Sequence, residues 1–226
     1  MILNKQYILF DLDGTISDSK PGILKSMQYV MKHFGIEIKD EELDSYSFFL
    51  GPPLQDSFRN YFKFDDKKVK EAVLKYREYY KPKGMFDNKL YPGVKDLLKK
   101  LKNSGKTVIL ATSKAEILAR QILEYFDILQ YFDFIAGAEL DGRRAKKNEV
   151  IEYCLAHFGI LSSEEKAKAV MIGDRNHDII GARKNGIESV GVLYGYGSLE
   201  ELTEGEYKSD YIVKDVDALA ELLVVH

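Results

Sequence analysis

Hydrophobic positions along this chain follow two rhythms. Short apolar runs, each closed by glycine or polar residues, occur at Ile8-Leu9-Phe10, 107–111, Phe134-Ile135-Ala136, 169–172, 188–192 and 210–213, and predict strands. Apolar residues at three- and four-residue spacing predict helices over 94–101, about 115–125, 149–158 and 216–224. A further helix is expected after Asp174, with Asp178 one turn into it. From Pro92 onward the alternation of strand and helix predicts an α/β unit. The stretch from Asp18 to about Lys89 breaks that alternation. Pro21 opens a helix through Ile23, Leu24, Met27, Tyr29, Val30 and Phe34 to Gly35, and helical spacing continues over 41–49, 54–61 and 67–80. No strand pattern interrupts it. Gly51-Pro52-Pro53 and Lys81-Pro82-Lys83-Gly84 punctuate it, and Pro53 suits a first helical position.

Composition narrows the picture only a little. A chain of 226 residues, 45% hydrophobic and 31% charged, can bury one large core plus a smaller unit. A formal charge of -3 exerts no pull toward a nucleic-acid polymer or an anionic membrane, so an anionic substrate needs a local cationic site. The single cysteine, Cys154, excludes an internal disulfide, and its helical apolar setting predicts a buried thiol. The amino terminus has no basic region leading into a long apolar run, and no window approaches the ~20 apolar residues of a membrane span. The expectation is a cytoplasmic protein, monomeric or a weak homodimer, with no membrane partner.

Candidate chemistry gathers where the strands end. Ile8 to Thr15 runs from an apolar strand into Asp11, Leu12, Asp13 and Gly14. While the backbone stays extended, the two carboxylates point the same way and call for a cation; a solvated Asp-Gly turn is the plainer alternative. Thr112 and Ser113 stand between a strand and a helix, where hydroxyl and N–H groups either cradle a phosphate or cap the helix. Arg143, Arg144, Lys146 and Lys147 precede a helix, as a site or as a solvated surface cluster. Gly173-Asp174 ends another strand, and Asp178 either joins Asp174 or complements the helix dipole. Gly195-Tyr196-Gly197 lacks the third glycine of a nucleotide loop and is expected to be a flexible loop near a substrate mouth.

The run Phe10-Asp11-Leu12-Asp13-Gly14-Thr15 resembles the D-x-D-G-T motif of the haloacid dehalogenase-like phosphohydrolase superfamily. The resemblance implies that Asp11 is the nucleophile and Asp13 the general acid/base, the second aspartate being the one that phosphatases carry and true dehalogenases lack. Thr112, beside Ser113, is similar to the second motif, whose hydroxyl binds the phosphoryl group. The spacing D-G-x-R-x-x-K-x-x-V-I of one branch matches at Lys147, with Arg144 as companion. Lys146 is a rival for that place. Arg143 stands where the branch has a small hydroxyl residue, which leaves its role open. Gly173-Asp174 to Asp178 is similar to the fourth motif, G-D-x-x-x-D, and implies Mg²⁺ held by Asp11, Asp174 and the backbone carbonyl of Asp13, with Asp178 supporting the ion or the lysine.

The fold so implied is a Rossmann-like core with a mostly parallel sheet of order 3-2-1-4-5, the Asp11 strand central and one extra edge strand added. Residues 1–17 and 90–226 would form that core and residues 18–89 an all-helical cap, with hinges near 16–19 and 88–92 lying side by side. Gly51 and Pro52 are expected near the scissile group. Phe48, Phe49 and Phe58 are expected as a stacking surface for a base or as the cap's own core, and Arg59 as a solvent-facing or substrate-side residue. Resemblance to phosphoglycolate phosphatase-like and 5'-nucleotidase-like members implies a Mg²⁺-dependent phosphomonoester hydrolase. It would act through an aspartyl phosphate on a small phosphorylated metabolite, such as a nucleoside 5'-monophosphate or phosphoglycolate. A phosphosugar mutase of the same superfamily and a non-enzymatic Mg²⁺-binding regulatory protein are the alternatives.

Overall fold

In the computed structural model, residues 4–204 and 206–223 are described. The strands are β1 (Tyr7–Phe10), β2 (Ser17–Asp18), β3 (Lys89–Leu90), β4 (Thr107–Ala115), β5 (Phe134–Ala138), β6 (Ala169–Gly173), β7 (Glu188–Val192) and β8 (Tyr211–Val213). Six of them form one sheet in the order β5-β4-β1-β6-β7-β8, with every neighbouring pair parallel. This is the expected 3-2-1-4-5 order, with the extra strand at the β7 edge. The helices are α1 (Lys20–His33), α2 (Leu54–Phe62), α3 (Asp66–Tyr80), α4 (Val94–Asn103), α5 (Glu116–Tyr125), α6 (Lys147–His157), α7 (Ser163–Lys166), α8 (Asn176–Asn185), α9 (Leu199–Thr203) and α10 (Val216–Leu223). The expected end of the last helix, Val224, lies outside the described residues.

The strand runs read as continuously apolar because both faces of the sheet are covered. Ile8 and Phe10 turn into one layer with Leu110, Ile172 and the inner faces of α4, α5 and α10. Leu9 turns into the other with Ile109, Met171 and the faces of α6 and α8. Cys154 is fully buried there, and burial pushes its thiol up to about 12, which makes it packing rather than chemistry. Among the described residues no helix is long and apolar enough to cross a membrane.

Between β2 and β3 the chain makes the helical insert, α1 through α3, with one departure from expectation. Residues Asp40–Phe49 form a 3-10 stretch with a kink at Tyr46 rather than an α-helix. Ser45 Oγ donates to Glu42 O at 2.6 Å and Ser47 Oγ to Asp44 O at 2.7 Å, so local side-chain bonds compete with the α-helical pattern. Phe49 and Phe58 are buried against each other with ring centroids 5.1 Å apart, and Phe48 lies 4.2 Å from the Tyr61 ring. These rings form the insert's own core. Arg59 spends its guanidinium on Asp56 at 3.2 Å and Asp66 at 3.0 Å, as an exposed helix arginine does. The two crossings into the insert lie side by side, β2 antiparallel to β3 with Ser17 opposite Leu90. Two-residue strands are too short to leave a periodic signal, so only their adjacency was expected.

Candidate active site

The site lies at the carboxyl ends of the central strands, where an open parallel sheet has its crevice. β1 ends at Phe10 and Asp11 follows, its N–H held by Ile172 O at 2.9 Å. The chain then turns tightly, Ile16 and Ser17 N–H both donating to Leu12 O at 2.9 and 3.0 Å, and delivers itself to β2. Asp174 follows β6 directly, and Asp178 sits in the first turn of α8. Lys147 begins α6, two residues earlier than the sequence pattern predicts. Thr112 falls at an irregularity in the β4–β5 register, between Ala111 and Ala115, so that the strand runs past its expected end.

Lys147 organises the buried charges. Its Nζ lies 2.7 Å from Asp11 Oδ1, 2.8 Å from Asp178 Oδ1 and 3.0 Å from the Ala111 carbonyl, which together occupy an ammonium's three donors. Burial alone would lower the Lys147 pKa; the Asp11 and Asp178 carboxylates outweigh it and hold the ammonium above its ordinary value. Asp11 is pushed up to about 6, by burial first, against the pull of Lys147 and with help from the Asp178 charge. Lys146, one residue earlier, is exposed, so the structure sets Lys147 and not its neighbour against the carboxylates.

Asp174 is fully buried, and its carboxyl is raised well above the usual carboxylate range by burial, then by the Asp178 and Asp11 charges. It accepts from Tyr196 N–H at 2.7 Å and from Thr15 Oγ1 at 3.3 Å. The Gly195-Tyr196-Gly197 segment, expected to be a flexible loop, is instead packed on this carboxylate. A Cβ on Gly195 would sit 2.3 Å from Asp174 Cβ, and one on Gly14 2.1 Å from Asp174 Oδ2. Glycine is required on both sides because the backbone itself forms the wall. A G-x-G run just past a strand at the same sheet edge was the available signal.

Asp13 stands apart from this cluster. Ser19 Oγ donates to its Oδ1 at 2.5 Å and Lys114 Nζ lies 2.9 Å from its Oδ2, so both oxygens have partners outside the Asp11, Asp174 and Asp178 group. Lys114 also donates to Tyr80 OH at 2.8 Å. Neither Ser19 nor Lys114 was singled out from the sequence. Lys114 follows Ser113 and Ser19 closes the expected hinge, yet nothing in their spacing says which way they face.

A cleft of about 100 Å³ opens over Asp11 and Asp13, lined also by Thr112, Ser113 and Lys114 from the sheet edge and by Gly51, Pro52, Tyr76 and Tyr80 from the insert. Arg144, expected beside the substrate, is not among its lining residues. Its Nε donates to Gly137 O at 2.8 Å, its Nη2 to Glu116 at 3.0 Å, and its guanidinium carbon lies 3.9 Å from the Tyr153 ring centre. The arginine braces the loop that leads to Lys147 through two of its donors and the face of the Tyr153 ring. Arg143 pairs with Glu139 and Asp141 on the surface.

Asp11, Asp174 and Asp178 each offer one oxygen, all within 4.8 Å of one another. Three buried carboxylates share one ammonium, and among the described residues Asp174 makes no ion pair, so a hard divalent ion such as Mg²⁺ fits both the donor chemistry and the charge deficit. Saturating Mg²⁺ should therefore raise the melting temperature by about 5–10 °C, as expected for ~100 Kd of ligand on a chain of this size. Asp174→Asn should lose that shift while melting, in chelator, no lower than the parent. Because the folded-state Asp11 pKa lies above its unfolded value, the metal-free parent should gain stability as pH falls through about 6 toward 4. A full Mg²⁺ shift in the Asp174→Asn protein, read by differential scanning calorimetry, would remove Asp174 from the ion's ligands.

Comparison with known proteins agrees with this geometry. The sequence profile of the family described as haloacid dehalogenase-like hydrolase matches residues 8–192. The chain is 38% identical over 219 residues to a 5'-nucleotidase of Pseudomonas aeruginosa, spanning 97% of this chain and 96% of that one. It is also 36% identical over 220 residues to the tyrosine-protein kinase PtkA of Mycobacterium tuberculosis, spanning 97% of this chain and 73% of that one. The crystal structure of a predicted phosphatase from Clostridium acetobutylicum is similar with a TM-score of 0.90 and 45% identity, covering 96% of this chain and 97% of that one. A six-stranded parallel sheet, aspartates at two of its central strand ends and a family match across most of the length converge: the chain belongs to the haloacid dehalogenase-like hydrolases and is a phosphatase.

Proposed function

We propose that this phosphatase hydrolyses small phosphomonoesters in two steps through an aspartyl phosphate on Asp11. The observation that carries the reading is the division of labour between the two aspartates. Asp11 lies at the cleft floor on Lys147, and Asp13 stands beside it, held through both oxygens by Ser19 and Lys114. In the first step an Asp11 oxygen bonds to phosphorus as the ester P–O bond breaks, and Asp13 gives a proton to the leaving oxygen. In the second, Asp13 takes a proton from water as that water attacks phosphorus, and phosphate leaves Asp11 free. Thr112 and Ser113 bind the phosphoryl oxygens, and the Lys147 charge, held on Asp11, offsets theirs. Mg²⁺ bound by Asp11, Asp174 and the Asp13 backbone carbonyl would supply positive charge against the phosphate dianion. Asp178 holds Lys147 in place.

In this reading residues 18–89 are a cap and residues 1–17 with 90–226 the catalytic core, the cap bringing Gly51 and Pro52 to the leaving group. The substrate is a small cytoplasmic metabolite phosphate, and the 5'-nucleotidase relative favours a nucleoside 5'-monophosphate over phosphoglycolate. Since Phe48, Phe49 and Phe58 are committed to the insert's core, a base would be met by Leu54, Tyr76 and Tyr80 at the cleft wall. A screen with Mg²⁺ should show kcat/KM for nucleoside monophosphates at least about tenfold above ribose 5-phosphate, roughly the worth of one stacking contact. Equal values would show that the base is not bound and would move the assignment to phosphoglycolate or another small ester. No turnover of any monoester would overturn the phosphomonoesterase reading. Because a relative is a tyrosine-protein kinase, the screen includes ATP, with phosphotyrosine as the readout for transfer to protein instead of water.

A further inference from the structure

Arg175 follows Asp174 immediately, but its side chain leaves the carboxylate cluster and crosses to the insert. Its Nη1 donates to the Leu50 carbonyl, the residue just before Gly51-Pro52. Its Nε lies 2.8 Å from Glu201 Oε1 in α9, and Glu201 also accepts from Asn176 N–H at 3.0 Å, so the arginine is braced from the core side. Gly51 lies on the arginine's aliphatic stem, with φ at 101° and a built Cβ only 3.2 Å from Arg175 Cγ. The backbone at 50–51 is thus laid along the side chain, its carbonyl turned to the guanidinium. Apart from the contacts of Asp18 and Ser19 at the hinge, the other polar ties between insert and core among the described residues are Arg77 to Leu140 O at 2.8 Å and Lys114 to Tyr80 OH at 2.8 Å, and both hold α3. Among the described residues, no other core side chain hydrogen-bonds the segment 50–53.

We infer that Arg175, braced by Glu201, is a positioning residue that seats the Gly51-Pro52 loop over the Asp11 cleft and thereby sets discrimination among leaving groups. The inference rests on the reading of the insert as a cap. Arg175 does not line the cleft, so it acts through the loop and not on the substrate. A guanidinium serves the Leu50 carbonyl and the Glu201 carboxylate at once in fixed directions, which a lysine ammonium on a flexible stem does not reproduce. The backbone N–H of Arg175, and not its side chain, holds Asp178 Oδ2 at 3.1 Å, so side-chain replacement leaves that support in place. An unactivated ester needs its leaving oxygen placed accurately against Asp13, whereas an activated aryl ester is less demanding.

The test uses the full chain with Mg²⁺ and the variants Arg175→Lys, Arg175→Met and Glu201→Gln. For both arginine variants, kcat/KM on ribose 5-phosphate relative to p-nitrophenyl phosphate should fall about tenfold or more, and for Glu201→Gln by less. Mg²⁺ affinity by titration calorimetry should stay at the parent value. Spin labels at Lys70→Cys in the insert and Lys184→Cys in the core, with native Cys154 buried, should give one narrow distance in the parent and a longer, broader distribution in Arg175→Met. An unchanged substrate ratio with an unchanged distance distribution overturns the inference. Loss of Mg²⁺ affinity in step with both rates also overturns it, since the side chain would then serve the metal loop. If the parent cleaves neither ester, the catalytic reading fails by itself and the label distances alone decide the seating of the loop.

Discussion

Replacing Lys147 with methionine should destabilise the metal-free protein by about 3–5 kcal/mol at pH 8, the usual cost of removing one partner from a buried ion pair. Methionine keeps much of the volume, so the loss reports charge and not packing. Asp11 and Asp178, buried 2.7 and 2.8 Å from the ammonium, would face each other without it. The loss should shrink as pH falls toward and below about 6, where Asp11 takes up a proton and one of the stranded charges disappears. Mg²⁺ should recover part of the loss, while turnover stays down by roughly 10³-fold or more because the ammonium no longer faces the phosphoryl group. Urea denaturation at pH 8 and pH 5.5, with and without Mg²⁺, measures all of this. Equal midpoints for parent and variant in chelator at pH 8 would mean that the lysine does not hold the buried carboxylates.

Asp11→Asn separates chemistry from structure more sharply. The amide is a poor nucleophile, and kcat should fall by on the order of 10⁴-fold or more with every substrate alike. Stability in chelator at pH 7 should be kept or raised, since the Asp11 carboxyl stands at about 6 and its charged form is the one that burial disfavours. After acid quench, mass spectrometry of the parent should find a phosphorylated peptide containing Asp11, and the variant should give none. Turnover near the parent rate, with deamidation excluded by mass, would transfer the nucleophile's role to another residue.

Much of the site could be read along the chain because its parts sit where apolar runs stop, although β4 itself continues past Thr112. Asp11, Thr112 and Asp174 each end an apolar run, and a change from buried to polar residues at a strand end is a one-dimensional signal. Lys147 was legible only through motif spacing; its four-cation neighbourhood looks the same as a solvated surface cluster until the fold buries one of the four. Arg144 shows the converse. Its spacing matched a companion to the lysine, but spacing carries no direction, and Gly137 O, Glu116 and the Tyr153 ring take the guanidinium. The 3-10 stretch at 40–49 escaped because apolar spacing is similar in the two helix types, and local serine bonds decide between them.

The sequence alone determined the strand and helix alternation, the helical insert with its two proline-containing breaks, and the identity of the aspartates at the strand ends. Those follow from local periodicity and from residue types that need particular surroundings. Only the tertiary structure decided that Gly195 and Tyr196, some twenty residues beyond Asp174, wall and bind its carboxylate, and that Lys114 and Ser19 hold Asp13. The same is true of Arg175, which leaves the motif it belongs to and reaches Leu50 in the insert. Parallel strands put residues far apart in the chain onto one sheet edge, and the direction a side chain takes there depends on which partner satisfies its charge once water is excluded.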